Sequence, residues 1–160
     1  MPGMGKDGEF DLRVSRRDVE RYSMDLTKEQ LVSMAKEAVQ YSYSPYSGYK
    51  VGAALLCKDG SVYTGCNIEN AGYSSTNCAE RTAFFKAVSE GKREFVAIAI
   101  CGGKDGVIEG KFPPCGVCRQ VMREFCEDEF LIYLAAKDDI ETYTLRELLP
   151  VSFQPKTIRK

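Results

Sequence analysis

Histidine is absent from the 160 residues. That gap removes Ser-His and Cys-His nucleophile pairs, imidazole acid-base catalysis and imidazole metal ligands, so any proton shuttle must be another side chain. No apolar run reaches the roughly 18 residues of a membrane span, and the N-terminal segment lacks the apolar stretch of a signal peptide. The chain therefore reads as cytoplasmic, in a reducing setting, with no membrane partner. Positive charge is not in excess: 22 Lys+Arg stand against 23 Asp+Glu, a net charge of −1. This is a poor match for a phosphate backbone, and no nucleic-acid partner is expected. Repeats and low-complexity segments are also missing.

What is present fits one core. The length lies within the about 100–200 residues of a single domain. Hydrophobic residues at 44%, with Tyr 9 and Phe 8, exclude disorder throughout. Residues 1–25 read as a flexible leader, rich in glycine (Gly3, Gly5, Gly8) and charge (Arg16 to Arg21), with at most one helical turn. Thr27 and Gln30 then have capping-box spacing ahead of the stripe Leu31, Met34, Ala35, Ala38 and Val39, which predicts a helix ending near Tyr43. Val51 to Cys57 and Ser61 to Cys66, joined through Asp59-Gly60, predict a hairpin.

Further along, the spacing predicts a helix from Cys78 to about Gly91, a buried strand from Phe95 to Cys101 and a loop from Gly102 to Pro114. A helix from Cys115, a strand from Phe130 to Ala136, a short strand from Thr142 to Thr144 and a capped helix after Thr144 complete the chain. Hairpin, helix, strand, helix, strand gives a three-layer α/β/α fold with a mixed five-stranded sheet. The strands preceding the two cysteine-bearing helices are expected to be neighbours, bringing the two helix starts together.

Seven cysteines is an odd number, and the chain is larger than disulfide-dense scaffolds, so metal binding or burial explains them better than a bridge framework. Cys115-Gly116-Val117-Cys118 is a CxxC at a helix start, a spacing that fits a redox pair or half of a zinc site. A closed structural zinc site needs four ligands. With no histidine and no second CxxC, the remaining candidate is Cys78, 37 positions upstream of Cys115 and also at a helix start. Three thiolates leave one position free, as in a catalytic zinc site. Cys57, Cys66 and Cys101 end strands and Cys126 ends a helix; these four read as buried or structural thiols.

Three thiolates outweigh the charge of Zn²⁺ by one, and two helix N-termini together with Arg81 offset that excess. Glu80, two residues after Cys78, is the best candidate proton shuttle; taken alone it would equally suit a carboxylate stabilising the first helical turn.

Cys78-Ala79-Glu80 followed by Pro114-Cys115-Gly116-Val117-Cys118 resembles the zinc-deaminase signature, including its three-cysteine form and its non-ligand glutamate. Pro45-Tyr46-Ser47, Val51-Gly52-Ala53-Ala54-Leu55, Gly65-Cys66-Asn67-Ile68-Glu69-Asn70, Cys78-Ala79-Glu80-Arg81-Thr82 and Leu148-Leu149-Pro150 extend the likeness, over Leu26 to Phe153, to the small homotetrameric cytidine deaminases. The resemblance implies a catalytic domain over residues 26–160, one Zn²⁺ per chain, and hydrolysis of cytidine and 2′-deoxycytidine to uridine, 2′-deoxyuridine and ammonia in pyrimidine salvage. Activated water attacks C4, while Glu80 moves protons from water to N3 and to the leaving amine.

It also implies substrate contacts at Tyr49, Asn67, Glu69 and Ala79, and a homotetramer whose shared sites receive Phe153 from a neighbouring subunit. Tyr49 replaces a common Phe and Lys50 a common Pro, which predicts a more polar pocket edge and leaves room for another aminopyrimidine. The other alternative, a non-catalytic zinc module, would need a fourth ligand.

Overall fold

The computed structural model describes residues 26–159, so the expected leader, residues 1–25, lies outside the described residues. Helix α1 spans Lys28–Ala38, and both bonds of the Thr27/Gln30 capping box form. It tightens into a 3-10 turn at Val39–Tyr41, two residues short of the expected end. Strand β1 (Tyr49–Cys57) and strand β2 (Val62–Cys66) make the hairpin. Then come α2 (Ala79–Ser89), β3 (Phe95–Lys104), α3 (Gly116–Phe125), β4 (Leu131–Ala135), β5 (Ile140–Thr144), α4 (Leu145–Leu148) and α5 (Pro155–Ile158). Thr144 and Glu147 close the second capping box, at the start of α4. No helix among the described residues is long and apolar enough to cross a membrane.

The five strands form one sheet in the order β2-β1-β3-β4-β5. Strand β1 runs antiparallel to both neighbours, β3 and β4 are parallel, and β5 is antiparallel to β4. The sheet is mixed and has five strands, as expected, but β2 and β3 are not adjacent: β1 lies between them. The hairpin leaves the far edge of β1 free, and β3 pairs there. Because β2 and β3 are each antiparallel to β1, they run parallel to one another and end at the same edge of the sheet. The helices that follow them therefore start at that edge without their strands touching.

Strand β3 also runs three residues beyond its expected end. Gly102, Gly103 and Lys104 are strand, paired with Val51, Lys50 and Tyr49, because β1 begins two residues before Val51 and supplies the extra rungs. Cys101 is thus inside a strand rather than at its end. The fold-back of the following loop requires glycine at 103, where a Cβ would lie 1.7 Å from the Val107 carbonyl oxygen.

Alternation along β1 sorts side chains to two faces. Val51, Ala53, Leu55 and Cys57 join Ile98 and Ile100 beneath α2 and α3. Ala54, Leu56, Ala97, Ala99 and Cys101 lie beneath α1, against Leu31, Val32, Ala35 and Val39. Phe84 of α2 is buried and meets Phe125 of α3 at 6.2 Å between ring centres and Phe95 of β3 at 5.0 Å. Such aromatic pairs add about 0.5–1.5 kcal/mol each beyond the area they bury, so Phe84 pins the two helices to each other and to the sheet. At the other end of α2, Gly65 lets the first helical turn lie directly on β2: a Cβ there would be 2.4 Å from the Ala79 carbonyl oxygen.

Candidate active site

Cys78 is the N-cap of α2 and Cys115 the N-cap of α3. Cys118, in the first turn of α3, directs its backbone N–H at the Cys115 sulfur, 3.5 Å away. The Sγ atoms of Cys78, Cys115 and Cys118 lie within 4.8 Å of one another, with Cys78 and Cys115 at 3.8 Å. Among the described residues no fourth histidine, cysteine or carboxylate joins the group. Cys118 is buried, Cys78 half-buried and Cys115 exposed, so the trio opens to solvent on one side. Three soft donors converging on a compact point, with an accessible side, fit a zinc ion that keeps a place for an exchangeable ligand.

The surroundings favour negative charge on sulfur. Two helix N-termini meet at the trio, and their free N–H groups carry partial positive charge. The Arg81 guanidinium donates to the Cys78 sulfur at 3.3 Å. The hydrogen bond from Cys118 is the main cause pulling the Cys78 thiol down to about 5, with Arg81 and Cys115 adding to it against the effect of burial. Cys118, as donor to Cys78 and buried beside Glu80, moves up instead, so Cys78 ionises first. Burial pulls Arg81 down, yet its hydrogen bonds to Cys78 and Cys118 more than offset this and keep it charged.

Glu80 is 4% exposed, a carboxyl group sealed beneath the thiols. Its Oε2 lies 3.7 Å from the Cys118 Sγ, within hydrogen-bonding reach. Burial pushes the carboxyl up to about 7, the Cys78 charge adds to the rise, and hydrogen bonding and Arg81 partly oppose it. A carboxyl group that takes and gives a proton near neutrality suits acid-base work in both directions.

Ala79 is fully buried beside Cys78. As the first residue of α2 its N–H has no intrahelical acceptor. Asn67 is buried and already engaged: its Oδ1 accepts from Val51 N–H at 2.9 Å and from the Ser42 hydroxyl, and its Nδ2 donates to the Tyr49 carbonyl at 2.8 Å. One N–H of the amide is left for a ligand. Glu69 accepts from the Tyr46 and Ser47 N–H groups, both at 3.0 Å, and from the Ser47 hydroxyl. Those bonds, led by the Ser47 hydroxyl, hold Glu69 below the usual carboxylate range.

A supporting frame, whose bonds no motif announces, joins these residues. Ile68 bridges to both Tyr43 and Asn77, while Thr82 ties the Cys66 carbonyl at 2.9 Å to the side chain of Asn77 at 3.1 Å. The Asn67–Glu69 loop is thereby fastened to the start of α2. The Thr82 hydroxyl makes this tie, while the Ser42 and Ser47 hydroxyls hold Asn67 and Glu69 from the preceding loop, and serine or threonine at such positions carries no signal that distinguishes it from ordinary polarity.

Tyr49 is half-exposed on the site face, 5.8 Å from the Phe112 ring. Lys50 points to the opposite face, where its stem lies by Gly106 and Val39, so it does not make the pocket edge polar. Phe153 is 59% exposed and lines a groove of about 600 Å³ with Arg123, Asp128 and Arg146, a groove that includes none of the three cysteines.

The family model described as the cytidine and deoxycytidylate deaminase zinc-binding region matches residues 26–134. The chain belongs to this family. It is thus a zinc-binding deaminase, a hydrolase holding one Zn²⁺ per chain. It is 50% identical over 131 residues to a cytidine deaminase of Sporosarcina psychrophila, covering 81% of this chain and 93% of that one. The crystal structure of a cytidine deaminase from Burkholderia pseudomallei superposes with a TM-score of 0.75 at 44% identity, covering 80% of this chain and all of the other. That from Mycobacterium tuberculosis gives 0.68 at 38% identity, covering 81% and 98%. The family's α/β architecture is the one seen in this chain.

Proposed function

We propose that the chain hydrolyses cytidine and 2′-deoxycytidine to uridine and 2′-deoxyuridine with release of ammonia, within pyrimidine salvage. The observation that carries this is the buried Glu80 carboxyl group at 3.7 Å from one thiol of a converging trio, in a chain without histidine. Cys78, Cys115 and Cys118 would hold the zinc, which when bound would supply an acidified water and positive charge for the reaction at pyrimidine C4. Glu80 accepts one proton of that water and delivers it to N3, then carries the second, from the hydroxyl now on C4, to the departing amine, so one water is consumed and one ammonia released. Arg81 and the two helix N-termini restrain the basicity of the sulfurs.

Tyr49 presents an aromatic face to the nucleoside, the Ala79 N–H an unused donor, and Asn67 and Glu69 an amide hydrogen and a carboxylate to the sugar hydroxyls. Glu69 also repels a 5′-phosphate and so favours nucleosides. We read residues 26–160 as the catalytic unit, working in a reducing cytoplasm where all seven cysteines stay free.

The same reading makes the enzyme a homotetramer with shared sites. Phe153 stands exposed and away from its own chain's cysteines, and Tyr41, Tyr43, Tyr46 and Tyr73 add further exposed aromatic surface of the kind enriched at interfaces. Rates on cytidine, 2′-deoxycytidine, cytosine and the 5′-monophosphate, with the mass in solution from light scattering, test the whole. The nucleosides are expected to react and the base and nucleotide to lag; Phe153→Ala is expected to raise KM with zinc unchanged. A preference for the nucleotide, or a fully active monomer, would contradict it.

A further inference from the structure

Lys104 closes β3 on the face that carries the site, and no step of the chemistry above uses it. The sheet register pairs it directly with Tyr49, and its Nζ stands 5.2 Å from the centre of the Tyr49 ring. The same ammonium donates to the Ser47 carbonyl at 2.6 Å. One cation therefore holds both ends of the Ser47-Gly48-Tyr49 step. Space for it is reserved by Gly48, where φ is +71 and a Cβ would come within 2.7 Å of Nζ. The neighbouring Asp105 N–H donates to the Gly48 carbonyl at 2.8 Å, so the end of β3 grips this step through backbone as well.

Ser47 is also the principal support of Glu69, through its N–H and its hydroxyl. From Lys104 one line of contacts runs through Ser47 to the Glu69 carboxylate, and a second runs to the Tyr49 ring. Residues Pro45 and Tyr46 of this loop are exposed, so little apolar burial fixes it. Without the ammonium, ordering of the loop would fall within the binding step and weaken it.

We propose that Lys104 is a positioning residue for the sugar end of the substrate, setting the Tyr49 ring and the Glu69 carboxylate without itself touching the nucleoside. This rests on the reading of Tyr49 and Glu69 as substrate contacts. None of the hydrogen bonds made by Lys104, Tyr49 or Glu69 reaches Glu80 or the three cysteines, so the effect lies in KM rather than kcat.

The test uses the zinc-loaded enzyme with Lys104→Met, which keeps the stem and removes the charge, and Lys104→Arg, which keeps a donor and a ring-facing cation. For Lys104→Met, KM for cytidine is expected to rise about tenfold, as for loss of a charged hydrogen bond, with kcat within about twofold and zinc unchanged. For 2′,3′-dideoxycytidine, which keeps the 5′-hydroxyl but lacks the 2′- and 3′-hydroxyls that this reading gives to Glu69, KM should rise only about two- to threefold. Lys104→Arg should return cytidine KM to within about twofold of the parent. An unchanged KM in Lys104→Met, an equal rise for both nucleosides, or an arginine variant as impaired as the methionine one would overturn the proposal. A parent enzyme inactive on both nucleosides would instead remove the reading on which it rests, and the proposal with it.

Discussion

Glu80→Gln is expected to keep its zinc and its fold while losing deamination by roughly a thousandfold or more, the upper range for removing an acid-base group. That corresponds to about 4 kcal/mol of lost transition-state stabilisation. The amide has nearly the shape of the carboxyl group and fills the same buried space beside Cys118. What it lacks is a proton to give and a charge with which to take one, and the reaction requires transfer from water, to N3 and to the amine. Burial also decides why no neighbour takes over. Among the described residues Glu80 is the one acidic side chain that is buried, and the chain contains no histidine. The loss should appear in kcat, with KM little changed or lower. Turnover within about tenfold of the parent would assign the proton transfers elsewhere.

Cys78→Ala is expected to lower zinc content from one ion per chain by at least about tenfold after dialysis, and activity with it. Only two thiols would then remain, and both belong to α3, so the metal would no longer bridge two helix starts. The variant removes the thiol that ionises first, pulled down to about 5 by Cys118 and Arg81. It would leave Arg81 charged and without the sulfur it donates to at 3.3 Å. Cys66→Ala is the matched control: Cys66 lies in the same region but donates to the Tyr41 carbonyl and stands outside the trio. Metal analysis on the two purified variants checks the assignment. Full zinc in Cys78→Ala, or loss of zinc in Cys66→Ala, would sink it.

Local features of this fold were readable in the chain wherever the cause was local. The two capping boxes, the Asp59-Gly60 hairpin and the helix starts at Cys78 and Cys115 each depend on residues three or four apart, and each is present. The trio could be inferred before any contact was known, because without histidine or a second CxxC few ligand sets remain. Pairing between distant strands was harder. A hairpin leaves the outer edges of both its strands free, so no local signal decides that β3 lies beside β1 rather than β2, and the length of β3 is set by two extra residues of β1. The Tyr49 to Lys104 rung follows from that extension, so it was invisible while Gly102 and Gly103 read as loop. Asn67 shows a different limit. A polar residue in a loop signals a ligand and a structural bond alike, and here most of its capacity goes to Ser42, Tyr49 and Val51.

The central claim is that three cysteines hold one zinc and leave a place beside Glu80 for chemistry, and X-ray absorption at the zinc edge of the parent protein tests it most directly. The account predicts three sulfur neighbours and one light neighbour, oxygen or nitrogen, with the light neighbour replaced or altered when a pyrimidine nucleoside analogue is added. Four sulfur neighbours, insensitive to any nucleoside, would describe a closed structural site and contradict it.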